Sequence, residues 1–126
     1  MMNEKPSTVL IVEDDPSLRD SLRRTLRKKG YTIIEAEEGG QGLKLLKAHA
    51  VDVVLIDIFM PGKEGIETIQ QIRRSHPQVK IIAMSGGGER MYIDVLRVAK
   101  SCGCHLTLDK PFSEETLINA IQAQLA

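Results

Sequence analysis

The sequence predicts a doubly wound α/β domain built on one parallel sheet. Three observations predict it. Apolar runs such as Thr8–Val12 and Val53–Ile56 lack the in-out alternation of a half-exposed strand and read as strands covered on both faces. Between them lie stretches with helical spacing, for example Leu18, Leu22 and Leu26. Strand and helix then alternate along the chain, and right-handed crossovers turn that alternation into a parallel sheet with helices above and below.

A length of 126 residues suits a single domain, here 1–126 with a core over about 8–125. The composition, 42% hydrophobic and 27% charged, is that of a globular protein. Lysine plus arginine equal aspartate plus glutamate at 17 each, so no overall field favours nucleic acid or a membrane, and any partner must be argued locally. No apolar run reaches the roughly 20 residues that span a bilayer, and the first seven residues lack the apolar centre of a signal peptide. A cytoplasmic location is the expectation.

The first strand, Thr8–Val12, ends in Glu13-Asp14-Asp15. Asp15 suits the N-cap and Pro16 the first turn of a helix that Gly30 ends. Arg19, Arg23, Arg24, Arg27, Lys28 and Lys29 read as its solvated outer face. Tyr31–Ala36 is the second strand, less continuously apolar and so nearer an edge; Gly39-Gly40 is expected to separate it from a helix over Gln41 to His49. The third strand ends at Asp57, where Met60-Pro61-Gly62 opens a loop. Ile66, Ile69 and Ile72 mark a helix over Ile66 to Ser75, which His76-Pro77 ends. The fourth strand, Val79–Met84, delivers Ser85 to a loop of three glycines, Gly86 to Gly88. No G-K-[ST] follows, so this is read as a pliable connection, not a phosphate cradle. A helix over Glu89 to Ser101, a strand over His105 to Asp109, Lys110-Pro111-Phe112 and a helix capped by Ser113 complete five strands and five helices.

Parallel strands point their carboxyl ends to one edge, so Glu13, Asp14, Asp57, Ser85 and Lys110 should gather there. Three crowded carboxylates repel unless a cation lies among them, and hard oxygen donors suit Mg²⁺ or Mn²⁺. A lysine and a hydroxyl beside them leave room for a phosphoryl group, with Asp57 as its acceptor. His49, His76 and His105 are dispersed and read as ordinary histidines. Cys102 and Cys104 lie two apart, a poor geometry for bridging, and are expected as free thiols.

These residues resemble the receiver domain of two-component response regulators. The likeness covers essentially the whole chain: V-E-D-D-P-S-L-R at the first strand, D-I-F-M-P-G at Asp57, M-S-G after the fourth strand and D-K-P-F after the fifth. It implies the flavodoxin-like strand order 2-1-3-4-5 and a phosphorylation switch. By resemblance, Asp57 takes a phosphoryl group from a phosphohistidine on a sensor histidine kinase or a histidine phosphotransfer protein. Asp14 then binds Mg²⁺ directly, Glu13 through water, and the backbone carbonyl of Phe59 completes the protein ligands. Lys110 pairs with a phosphoryl oxygen, Ser85 swings to hydrogen-bond it, and the Lys110-Pro111 bond is cis. A downstream protein target is implied, with the domain a monomer or a phosphorylation-dependent dimer that touches neither nucleic acid nor membrane.

The chain departs from the family pattern at Thr107, where many members carry an aromatic switch residue three before the lysine. That leaves the usual output route open. Phe59, two after the acceptor, is read as a shield against attacking water. A stand-alone receiver is the first reading of a chain that stops after the last helix, and the excised receiver of a longer regulator, such as a transcription factor, is the alternative. A Mg²⁺-dependent phosphohydrolase would want a second Asp where Phe59 stands. A flavodoxin-like cofactor binder would want a phosphate loop where Glu13-Asp14-Asp15 stands.

Overall fold

The computed structural model describes residues 6–58, 64–86, 101 and 103–126. Five strands, β1 (Thr8–Val12), β2 (Thr32–Ala36), β3 (Val53–Asp57), β4 (Lys80–Ser85) and β5 (Leu106–Asp109), form one sheet in the order 2-1-3-4-5. Every pairing is parallel. The described helices are α1 (Pro16–Lys28), α2 (Gly39–Ala48), α3 (Glu64–Ser75) and α4 (Glu114–Leu125). The helix expected over Glu89 to Ser101 lies outside the described residues except at Ser101, which is helical.

The two-residue period of a strand splits the core into two layers. Leu10, Val12, Val54, Ile56, Ile81 and Ala83 face α2 and α3, meeting Leu46, Ile69 and Ile72. Their neighbours Val9, Ile11, Val53, Leu55, Ile82 and Met84 face the other way, onto Leu22 and Leu26 of α1 and Leu117 and Ile121 of α4. All five residues of β3 are buried, as befits the central strand. Thr32 at the edge is exposed.

Helix ends follow local chemistry. The Asp15 carboxylate accepts from the amides of Ser17 (2.9 Å) and Leu18 (3.5 Å), with Pro16 in the first turn. Gly30 closes α1 at φ +92°, a left-handed position that suits glycine. The Ser113 hydroxyl accepts from the amide of Thr116 at 3.0 Å and caps α4.

Two expectations need correction. Gly39 and Gly40 do not separate β2 from α2; they form the first turn of that helix, with Glu38 as its N-cap. The helix starts there because the Glu38 side chain accepts from the amide of Gln41, and glycine suits the first turn because a Cβ on Gly39 would run into Oγ1 of the buried Thr68 on α3. The basic face of α1 is not wholly solvated either. Arg19 and Arg23 fold over to Glu35 at 3.5 and 3.2 Å, whereas the Arg24 side chain is 71% exposed. Cys104 packs against the first core layer, and Cys102 lies outside the described residues.

Candidate functional site

Backbone bonds carry the ladder one step beyond three strands, at or beside candidate residues. The amide of Glu13 donates to the Ala36 carbonyl (3.0 Å), that of Ile58 to the Met84 carbonyl (3.0 Å), and that of Lys110 to the Ser85 carbonyl (2.7 Å). Register brings the ends level, with Asp57 beside Met84 and Ser85 beside Asp109. The Lys110-Pro111 bond is cis, as expected.

Five of the expected residues converge. Carboxylate oxygens of Glu13, Asp14 and Asp57 lie within 4.8 Å of one another. Glu13 is fully buried and Asp57 is 5% exposed, while Asp14 is exposed at the mouth. The Lys110 ammonium donates to Oε1 of Glu13 at 2.9 Å and to Oδ2 of Asp57 at 3.0 Å. Ser85 is completely buried, and its hydroxyl has no hydrogen-bond partner among the described residues. A buried hydroxyl left unmatched costs stability and needs a reason. A Cβ on Gly86 would meet Cβ of Lys110 at 3.3 Å, so the start of the loop after β4 rests on the lysine stem. Phe59, Gly87 and Gly88 lie outside the described residues.

Electrostatics follow from this crowding. Burial pushes the Glu13 carboxyl above its ordinary value, with Asp57 adding to the rise, against the lowering effect of the bonds from Lys110 and the Asp15 amide. Burial pushes the Lys110 ammonium down, but its bonds to Glu13 and Asp57 outweigh that and leave its pKa raised. The lysine is therefore held as a cation between two acids. Hard oxygens from three side chains, one wholly desolvated, match the donor set of a small divalent cation.

One contributor was not legible in the sequence. Arg19, read as a surface cation, donates from Nη1 to the Glu13 carbonyl at 2.7 Å with its side chain only 15% exposed. Helical spacing placed it on the outer face, and nothing in the motif marks a backbone carbonyl as its partner. His105 has a structural task, its Nδ1 accepting from the amide of Ile81 at 3.0 Å.

The family model of the response regulator receiver domain matches residues 9–122. The sporulation initiation phosphotransferase F of Bacillus subtilis (strain 168) is 31% identical over 125 residues, covering 99% of this chain and 96% of that protein. The probable C4-dicarboxylate response regulator DctR of Priestia megaterium is 33% identical over 123 residues, 96% of this chain but only 53% of that protein's length. A CheY-like receiver domain structure from Methanospirillum hungatei JF-1 superposes with a TM-score of 0.88 at 26% identity, covering 95% of this chain and 94% of the other. Sheet order, clustered acids and these likenesses agree, and the chain belongs to the response regulator receiver domains of two-component signalling.

Proposed function

We propose that residues 1–126 form one receiver domain, core about 8–125, that works as a phosphorylation switch with Asp57 as acceptor. The observation that carries this reading is the convergence of Asp57, Lys110 and the orphan hydroxyl of Ser85 at adjoining strand ends. A carboxylate oxygen of Asp57 attacks phosphorus; the P–N bond to a donor imidazole breaks, and its electron pair stays with the ring nitrogen, which takes up a proton. Lys110 then moves its hydrogen bond from Asp57 to a phosphoryl oxygen, a short shift for an ammonium already at 3.0 Å. Ser85 supplies the hydrogen bond it does not make at rest. Glu13, Asp14 and Asp57 would hold Mg²⁺ or Mn²⁺, with the Phe59 carbonyl completing the set by resemblance to the family, and the ion would act as a Lewis acid that offsets charge on the transferring group.

In this reading the domain catalyses only its own phosphotransfer and a slow autodephosphorylation. The donor is a sensor histidine kinase or a histidine phosphotransfer protein, and the output is a contact with a downstream protein. A cytoplasmic setting goes with such a donor, and among the described residues no helix is long and apolar enough to cross a membrane. Intact mass after incubation with acetyl phosphate, with and without Mg²⁺, tests the reading in wild type and Asp57→Asn. One Mg²⁺-dependent phosphoryl adduct lost in the variant supports it; its absence in wild type, or its persistence in Asp57→Asn, refutes it.

A further inference from the structure

We propose that Arg19 is a positioning residue for the acidic pocket, setting its cation affinity by holding the Glu13 carbonyl. The inference rests on reading the pocket as a divalent-cation site. Where β1 leaves the sheet, the Glu13 amide makes the last ladder bond, to Ala36, and the Glu13 carbonyl passes beyond β2. Beyond Ala36 the β2 backbone turns off towards α2, with the amide of Glu37 donating to Oε1 of Gln41. The Glu13 carbonyl is taken up by Nη1 of Arg19, one turn into α1, at 2.7 Å.

The peptide that orients Asp14 is thereby fixed from both sides. Upstream, Arg19 holds the Glu13 carbonyl. Downstream, the Asp15 amide donates to Oε2 of Glu13 at 3.1 Å, and the Asp15 carbonyl accepts from the backbone amide of Arg19 at 2.9 Å. Asp14 itself is exposed and has no side-chain partner among the described residues, so its direction is set by this backbone. The guanidinium is oriented in turn from β2, with Nε 3.5 Å from Glu35 and Nη2 3.7 Å from Glu37. A planar fork with several donors suits that division of labour, which one ammonium cannot reproduce. Loss of a group that orients metal ligands from behind typically costs about 10–100-fold in metal affinity.

Charge and geometry make opposite forecasts, which gives the test its edge. Removing a cation beside an acidic cluster should, by Coulomb's law alone, tighten Mg²⁺ binding. Loss of positioning should weaken it. Amide NMR shifts of residues 13–15, titrated with Mg²⁺ in the unphosphorylated protein, read the affinity without any phosphotransfer. Arg19→Ala is expected to weaken Mg²⁺ by roughly ten-fold or more and to move the resting amide shifts of Asp14 and Asp15. Arg19→Lys, which keeps the charge, is expected to weaken it as well. Arg23→Ala, which loses ion pairs to Glu35 and Asp20 but makes no bond to Glu13, is expected to bind Mg²⁺ as wild type does. Should Arg19→Ala not fold, Arg19→Lys and Arg19→Gln carry the comparison. Unchanged or tighter binding in the folded Arg19 variants overturns the role of Arg19 while leaving the pocket intact; a wild type that binds no Mg²⁺ overturns the cation site as well.

Discussion

Lys110 and Asp57, 53 residues apart in the chain, meet at 3.0 Å between Nζ and Oδ2, and the same ammonium reaches Glu13 at 2.9 Å. The lysine thus separates two acids that the fold forces together. Lys110→Met is expected to lose about 1–3 kcal/mol of stability at neutral pH without divalent ions, because buried Glu13 is left without its cation. It should also gain more stability from added Mg²⁺ than wild type does, by mass action on a more strongly negative pocket. Urea unfolding with EDTA or with Mg²⁺ measures both; a variant that responds to Mg²⁺ less than wild type would contradict this account of the pair.

Ser85 gives a prediction of opposite sign. Its hydroxyl is buried without a partner among the described residues, so Ser85→Ala should leave the resting protein as stable or up to about 1 kcal/mol more stable. Binding of beryllofluoride with Mg²⁺ should weaken in the same variant. A destabilised resting state would show that the hydroxyl already has a structural task.

Gly39 and Thr68 form a packing pair between α2 and α3. Gly39→Ala should cost about 1–3 kcal/mol through overpacking against Oγ1 of Thr68. Adding Thr68→Ala should recover part of the loss. Denaturation midpoints of the two single variants and the double variant give the coupling; strict additivity would mean the contact is not what excludes a side chain at Gly39.

His105 links stability to pH. Partial desolvation, aided by Arg73 and Lys80 and opposed by the bond with the Ile81 backbone, holds the imidazole of the largely exposed His105 below the ordinary value of 6.5 in the folded state, so its effect on stability is small. The unfolded chain then binds the proton more readily, so this contribution is present above pH 6.5 and is lost as pH falls through that value towards the lower folded pKa. Relative to His105→Asn, wild type should lose stability between neutral pH and mildly acidic pH. A constant difference between the two across that range would contradict the shift.

The sequence made the sheet and its active edge legible because strands buried on both faces carry their apolar character openly. Val53–Ile56 can hardly be anything else, and a carboxylate directly after such a run must emerge at a strand end. Strand order came by resemblance, and it is the order observed. Two features escaped because they depend on neighbours distant in sequence. The need for a glycine at position 39 comes from Thr68 on another helix, and Arg19 is drawn from the solvent face by the carbonyl of Glu13. Propensity and periodicity describe one element at a time, so neither could show a contact between two.

The most direct test of the central claim is to locate the phosphoryl group. After phosphorylation with acetyl phosphate and Mg²⁺, borohydride reduction converts an acyl phosphate to the alcohol, and peptide mass mapping identifies the altered residue. Homoserine is expected at position 57 alone, dependent on Mg²⁺. Conversion at Asp14, Asp15 or Asp52 with none at Asp57, or no conversion in a protein shown to carry phosphate, would contradict it.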